Sequence, residues 1–245
     1  TCGLEALVFI TDFDFYNSVG RHLSQNENTT AVRAYLTHKS VSKHKKLVLE
    51  PSFRLQYYAS LANTSPEPRL NLKWNITPRI RFKGATGMYS QNLIATNTDR
   101  DVVNLFSGFL SGPDNLPETY VDEKGNVKDV KSKLQKANHY VAGFEFDIAK
   151  HFDLNVEGYI KDFKQLTNLN PYKIYDETTP GITDPLLKND YIIETGRAKG
   201  LDVVLKYDYK RFYVWVVYSL GFVNQWDGRT EYRTHYDRRH NVNIV

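Results

Sequence analysis

The sequence predicts an all-β fold, an antiparallel up-and-down transmembrane β-barrel wall of about ten strands. Three observations carry this. Apolar and polar residues alternate with period two over long stretches. Short and long connections take turns along the chain. The stretches run to about twelve to fifteen residues, well beyond the five or six usual in soluble sheets.

The strands are taken in chain order. The first, Gly3–Tyr16, is the least regular, because Asp12 and Asp14 interrupt its apolar side. In "LVLEPSFRLQYY" Leu47, Leu49, Pro51, Phe53, Leu55 and Tyr57 share one side, and Glu50, Ser52, Arg54 and Gln56 the other. "RLNLKWNI" sets Leu70, Leu72, Trp74 and Ile76 against Arg69, Asn71, Lys73 and Asn75. "HFDLNVEGYIK" and "GLDVVLKYDY" repeat the pattern with Leu154 and Val156, then Leu201, Val203 and Leu205. Residues alternate across a strand, so each segment has one apolar and one polar face. "RFYVWVVYSLGFV" (Arg211–Val223) is apolar enough to suggest a helix, but it is too short to span as one and is rich in β-branched and aromatic residues. It reads as a strand whose unbroken apolar face is Phe212, Val214, Val216, Tyr218, Leu220 and Phe222. The last strand is expected over Asp237–Val245.

Tight turns are expected at Ser42–Lys46, Ile76–Arg79, Ala149–Phe152 and Asp208–Arg211. Longer links are expected at Ser18–Thr29, Ser60–Pro68, Ser90–Lys136, Leu166–Gly196 and Gln225–Tyr236. Successive connections of an up-and-down sheet fall at opposite ends, so one end is tight and the other carries the large loops, as in outer-membrane barrels. Within Ser90–Lys136, "DVVNLFSGFLSG" could form a short helix or pack on a neighbour, and "VDEKGNVKDV" reads as a hairpin turning at Lys124–Asn126.

Composition bounds the function. A net charge of +4 among 24% charged residues implies neither disorder nor a nucleic-acid surface. One cysteine, Cys2, excludes an internal disulfide. No apolar run is long enough for a spanning helix, and mean hydropathy is −0.51. Seventeen tyrosines against three tryptophans favour strands and half-wet interfaces. Tyr57–Tyr58 and Tyr207/Tyr209 sit near strand ends, where aromatic girdles of membrane barrels belong. The apolar faces are therefore assigned to lipid and the charged faces to a wet lumen. A one-residue slip would put Glu50 and Arg54 in lipid, at about 2–4 kcal/mol for a mid-depth Arg.

No catalytic or cofactor motif stands out. His235, Asp237 and His240 in "HYDRRH" divide between two strand faces, and a polar barrel rim explains them better than a metal. "NTDRD" (Asn97–Asp101) lacks the Gly and Glu of an EF-hand loop, and "SGFLSG" is not a nucleophile elbow. The sequons at Asn28, Asn63 and Asn75 are discounted, since Asn75 falls within a strand. Arg69, Arg79, Arg81, Lys73 and Lys83 form a basic wall that solvates a lumen or attracts an anionic ligand.

"LVLEPSFRLQYY" followed by "PEPRLNLKWNITPRIRFKGATGMYSQN" resembles the barrel of TonB-dependent outer-membrane receptors of the Bacteroidota type. The order continues through "HYVAGFEFDIAKHFDLNVEGYIKDF", "ETGRAKGLDVVLKYDY" and "YSLGFVNQWDGRTEYRTHYDRRHNVNIV". The resemblance implies a barrel of about 22 strands around a plug, so residues 1–245 are expected to be part of one barrel domain, with plug and C-terminal strands outside it. It implies active import of a nutrient across a bacterial outer membrane, energised through TonB. The partners implied are outer-membrane lipid, the protein's own plug and, through it, TonB, with a surface substrate-binding lipoprotein also within the family's repertoire. No enzyme activity, cofactor or nucleic acid is implied. Lumen-facing candidates for ligand contact are Arg54, Arg69, Arg79, Arg81, Glu145 and Glu157. Two other readings fit the residues: a passive barrel or surface scaffold binding a partner through its long loops, and an outer-membrane barrel enzyme.

Overall fold

A computed structural model describes residues 1–16, 22–95, 109–111, 116–175, 179–181 and 184–245. Its elements begin with β1 (Cys2–Tyr16), β2 (His22–Thr37), the two-residue β3 (Ser40–Val41), β4 (Leu47–Tyr58), β5 (Asn63–Asn75) and β6 (Ile80–Gln91). The long link that follows carries β7 (Leu93–Ala95), β8 (Phe109–Ser111), β9 (Thr119–Val121) and β10 (Val127–Asp129). The sheet resumes with β11 (Gln135–Ala149), β12 (Phe152–Leu169), β13 (Tyr191–Tyr209) and β14 (Phe212–Trp226), and ends with β15 (Glu231–Arg233) and β16 (His240–Ile244). Twelve of these form one antiparallel sheet, in the order β1-β2-β4-β5-β6-β11-β12-β13-β14, with β15 and β16 on β14 and β3 on β4. It is an all-β meander of ten principal strands, and the sheet is not closed. Among the described residues the only helical turns are the 3-10 turns Ala59–Leu61 and Pro185–Leu187.

Tight connections gather at one end: Ile76–Arg79, Lys150–His151, and Lys210–Arg211 with Lys210 left-handed at φ 56°. The passage from β2 to β4 joins them, since Ser40 pairs back onto Leu49 and Asn75 Nδ2 donates to the Lys45 carbonyl at 2.9 Å.

At the other end two expected long links are corrected. His22–Thr29, assigned to a loop, is strand, paired from Phe9↔Thr29 to Tyr16↔His22. Asn63–Pro68, also assigned to a loop, pairs with Phe53–Tyr58. Their polar residues suggested loop because strand was equated with an apolar face. The backbone ladder nevertheless continues: across Asn63–Pro68 the outward partners are Phe53, Leu55 and Tyr57, while Ser65 and Glu67 on the other face are buried. Pro66 and Pro68 are tolerated because β5 pairs with β6 only from Arg69 onward, so their missing N–H groups break nothing on that side. Of the genuine long links, residues 92–134 and 170–190 are shorter than expected, and the third, residues 227–239, is shifted toward β16 without being shortened. The hairpin expected in "VDEKGNVKDV" forms, with Gly125 at φ 78° in its turn. Of the segment considered for a helix, Phe109–Ser111 is strand against Leu93–Ala95, and its residues 101–108 and 112 lie outside the described residues, as does "NTDRD".

Burial is inverted relative to a soluble sheet. Phe53, Leu55 and Tyr57 are 46%, 40% and 45% exposed, whereas Gln56 and Tyr58 between and beside them are 3% and 1% exposed. Register carries the apolar face across the strands as continuous rows, such as Trp74–Phe82–Phe144–Val156–Val203–Tyr218. Asp12 and Asp14 follow the parity of Leu4, Val8 and Ile10 but lie toward the looped end, past the apolar zone.

Gly143 shows how tightly the opposite face is set. A Cβ there would meet the Val156 carbonyl oxygen at 2.6 Å and Glu157 Cα at 3.0 Å, whereas one at Gly84 meets nothing nearer than 3.7 Å. Gly143→Ala should therefore cost about 1–3 kcal/mol by overpacking, and Gly84→Ala less than about 0.5 kcal/mol either way. Urea unfolding of the full polypeptide carrying each change checks the contrast.

Candidate functional site: the charged inner face and the looped end

The polar face is built by the same register. One row runs Lys73–Lys83–Gly143–Glu157–Asp202–Ser219, and the next toward the tight turns Asn75–Arg81–Glu145–Asn155–Val204–Val217. Arg81 donates from Nε to Glu145 at 2.9 Å and from Nη1 to Asp147 at 2.7 Å, and Lys83 is ion-paired to Glu145. Lys73 stands opposite Lys83, and Glu157 opposite Asp202. Like charges directly opposite are destabilising, and they are sustained where water reaches both.

Tyr159 explains the small residues on β13 and β14. Its hydroxyl would lie 2.6 Å from a Cβ at Gly200 and 3.5 Å from one at Gly221, so the ring lies across both backbones. The Gly196-x-x-x-Gly200 motif thus has a steric cause at its second glycine. Gly221 also accounts for part of the reduced inner face of "RFYVWVVYSLGFV".

Of the predicted ligand candidates, Arg54, Arg69, Arg81, Glu145 and Glu157 share the inner face, while Arg79 lies exposed in the tight turn before β6. Arg54 and Arg33 both reach Glu5 at 3.4 Å. Arg69 binds Glu67 at 2.6 Å and stacks over Tyr89 at 4.3 Å, and Tyr89 stacks on His139 at 4.4 Å. The structure therefore holds Arg54, Arg69, Arg81 and Glu145 in local ion pairs along the wall, brings Arg81 and Glu145 together, and sets Glu157 opposite Asp202.

Sequence reasoning missed two buried polar clusters toward the looped end. In the first, Glu67 is 1% exposed and accepts from Gln56, Arg69 and both the backbone N–H and the hydroxyl of Ser90, the last two at 2.8 Å. Tyr58 donates to Gln56 at 3.2 Å. In the second, Glu194 accepts from Asn168 and Tyr232 at 2.7 Å each, and Asp227 accepts from the Tyr172 hydroxyl at 2.7 Å. Lys173 pairs with Asp190, and Asn170 donates to the carbonyls of Leu186 and Asn189 at 2.6 and 2.7 Å. Trp226 Nε1 donates to the Val121 carbonyl at 2.9 Å, tying the β9–β10 hairpin to β14. The available signal was strand polarity on both faces past the apolar zone.

His235, Asp237 and His240 are engaged separately. His235 meets the Tyr236 ring edge-on, Asp237 accepts the Val223 N–H at 3.0 Å, and His240 Nδ1 is 2.9 Å from the Tyr218 hydroxyl. Among the described residues no group of three or more His, Cys, Asp or Glu side chains is gathered to hold a metal.

Comparison with known proteins adds a distant likeness. No family model matches the chain, and no curated protein matches it. Among solved structures, a mutant of the ferric enterobactin receptor of Pseudomonas aeruginosa is similar over 92% of this chain, at 11% identity and a TM-score of 0.45. The chain spans 37% of that receptor's length.

Two outcomes follow from the loop-end geometry. Glu67→Ala should destabilise the fold by about 3 kcal/mol, because Gln56, Ser90 and Arg69 lose their shared acceptor; Glu67→Gln should cost less, as thermal unfolding would register. In the β9–β10 turn, Asp122 accepts the backbone N–H groups of Lys124 and Asn126 at 2.9 Å each and pairs with Lys128 at 2.7 Å. The Lys128 ammonium and these donors hold its carboxyl well below the usual carboxylate range. A depressed carboxylate stabilises above its unfolded pKa and ceases to as pH falls through the folded one. The turn should therefore stay protected between pH 5 and 7 and open only in strong acid, with Asp122→Asn opening it already at pH 7. Amide exchange at Gly125 reads this out.

Proposed function

We propose that this chain is part of the wall of a transmembrane β-barrel in a bacterial outer membrane, and that the whole protein is a TonB-dependent receptor importing a nutrient. The inverted sheet carries the lipid-facing half of the reading. Exposed apolar rows on one face and half-buried ion pairs on the other would leave a soluble protein with its core outside. The outward apolar runs Leu201–Tyr209 and Phe212–Phe222 also fit the about nine to eleven tilted residues that cross a bilayer's hydrocarbon core. Open edges are costly in lipid, so closure requires further strands of the same polypeptide. The transport half rests on the family-like order of "RLNLKWNITPRIRFKG", "GRAKGLD" and "DRRH". In this reading the inner wall from Arg69 to Glu157 faces a plug coupled to TonB, and the protein carries out no covalent chemistry.

The packed looped end supports a second reading, a passive scaffold that binds a surface partner. Capture of the TonB periplasmic domain by the full polypeptide separates the two: binding supports the transporter, and its absence supports the scaffold. The lipid-facing half is tested apart from that. The full polypeptide in detergent should migrate heat-modifiably, and Val203→Arg should cost about 2–4 kcal/mol of folding free energy in bilayers while Asp202→Asn costs little. A detergent-independent soluble protein, or equal effects of the two changes, would refute it.

A further inference from the structure

The apolar face is not uniformly filled. Between Leu72 on β5 and Leu201 on β13 the register row reads Gly84, Ala142, Gly158. Three adjacent strands thus present almost no side chain, and a depression of about 770 Å³ lies over them. That volume is within the usual range of small-molecule sites, about 300–1,000 Å³. The small residues are not demanded by packing within the chain. A Cβ at Gly84 would meet Phe82 and the Val141 carbonyl at 3.7 Å, and one at Gly158 only carbonyl oxygens at 3.8 and 3.9 Å. Gly143 and Gly200 on the opposite face differ, with backbone oxygens at 2.6 and 2.5 Å. Smallness at Gly84 and Gly158 keeps the surface open.

The rim toward the looped end has a second feature. Phe222, which lines the depression, carries a cation on each side: Arg239 at 4.2 Å and Lys199 at 5.9 Å from its ring centre. Lys199 pairs directly with Phe222 and is exposed. Arg239 is 3.3 Å from Asp237, but its side chain is 32% exposed against 4% for the acid, so the guanidinium is the accessible member. One row further up, Asp162, Arg197 and Asn224 replace apolar residues, and Arg197 pairs with Asp162 at 2.7 Å. The apolar zone therefore ends at Lys199, at headgroup height if the face is in lipid.

We propose that this depression is a docking site for an anionic, phosphate-bearing membrane lipid. An acyl chain lies over Gly84, Ala142 and Gly158, and the phosphate meets Lys199 and Arg239. Charge complementarity at the rim and continuity with the apolar belt select this occupant. A zwitterionic lipid would offer the same chain but no net charge.

The inference rests on the lipid-facing reading, and its test keeps the two apart. The full polypeptide is purified from membranes, equilibrated with equal amounts of phosphatidylglycerol and phosphatidylcholine, and its bound lipid counted by native mass spectrometry. The unaltered protein should retain phosphatidylglycerol preferentially. Lys199→Gln and Arg239→Gln should each lower the preference about fivefold, the effect of one cation near an anionic surface. Gly84→Leu with Gly158→Leu fills the depression and should release both lipids while heat-modifiable migration is unchanged. Equal retention of the two lipids, a preference indifferent to both charge changes, or a dimer holding no lipid at this face overturns the site. A wild-type polypeptide that never inserts into bilayers overturns the barrel reading itself.

Discussion

The antiparallel ladder from Cys2–Tyr16 to His240–Ile244 decides where each side chain goes, because the side-chain period of a strand is two and any slip exchanges its faces. Here that exchange would be severe. It would carry Arg54, Lys73, Arg81, Glu145 and Glu157 to the apolar side, and Leu55, Trp74, Phe82, Phe144 and Val156 to the charged side. The tight turns Lys150–His151 and Lys210–Arg211 leave no slack for such a slip. Register bulges are confined to the ends of β11, beside the turn to β12 and at Lys136, and to β12 between Phe163 and Leu166, and the long runs of pairing between them are unbroken.

The two faces solve opposite problems. Apolar rows gain from one another only through side-chain contact, as where Phe82 meets Phe144 at 5.2 Å and Phe152 meets Tyr207 at 4.6 Å. The polar face must satisfy charge, and it does so unevenly. Arg81, Glu145, Asp147 and Lys83 neutralise one another, whereas the Lys73–Lys83 and Glu157–Asp202 juxtapositions persist on either side of Gly143. The glycine places no side chain between a cationic and an anionic pair. A dry core would not sustain that arrangement; a hydrated wall does.

Much of this was legible in the sequence because alternation reports faces directly. The segment Leu47–Tyr58 is strand to the residue, and the apolar face Phe212–Phe222 has the register its pattern implied. What escaped has a common physical origin. His22–Thr29 and Asn63–Pro68 are mostly polar, so alternation falls silent there although the backbone stays paired. The clusters around Glu67 and Glu194 join residues from strands and links far apart in the chain, and no local pattern marks which Glu will be buried. Arg79 carried the charge of the wall residues but not their position, since it belongs to the turn.

Strand length carries paired backbone into the looped end. β13 is 19 residues long, yet its outward apolar run occupies only Leu201–Tyr209, so roughly half the strand stands beyond the apolar zone. There Tyr191, Ile192 and Ile193 are at most 4% exposed, and the acid Glu194 beside them is held by Asn168 and Tyr232. β12 and β14 rise with it. Asn170 and Lys173 close the link at residues 170–190 on itself, Tyr172 ties it to Asp227 in the link at residues 227–239, and Tyr232 ties that second link to Glu194 on β13. A surface built on paired strands keeps its polar groups fixed without a partner, whereas bare loops would have to be ordered on binding at a cost in conformational entropy. The polar extensions that obscured the strand boundaries in the sequence are thus what makes this end a preformed surface.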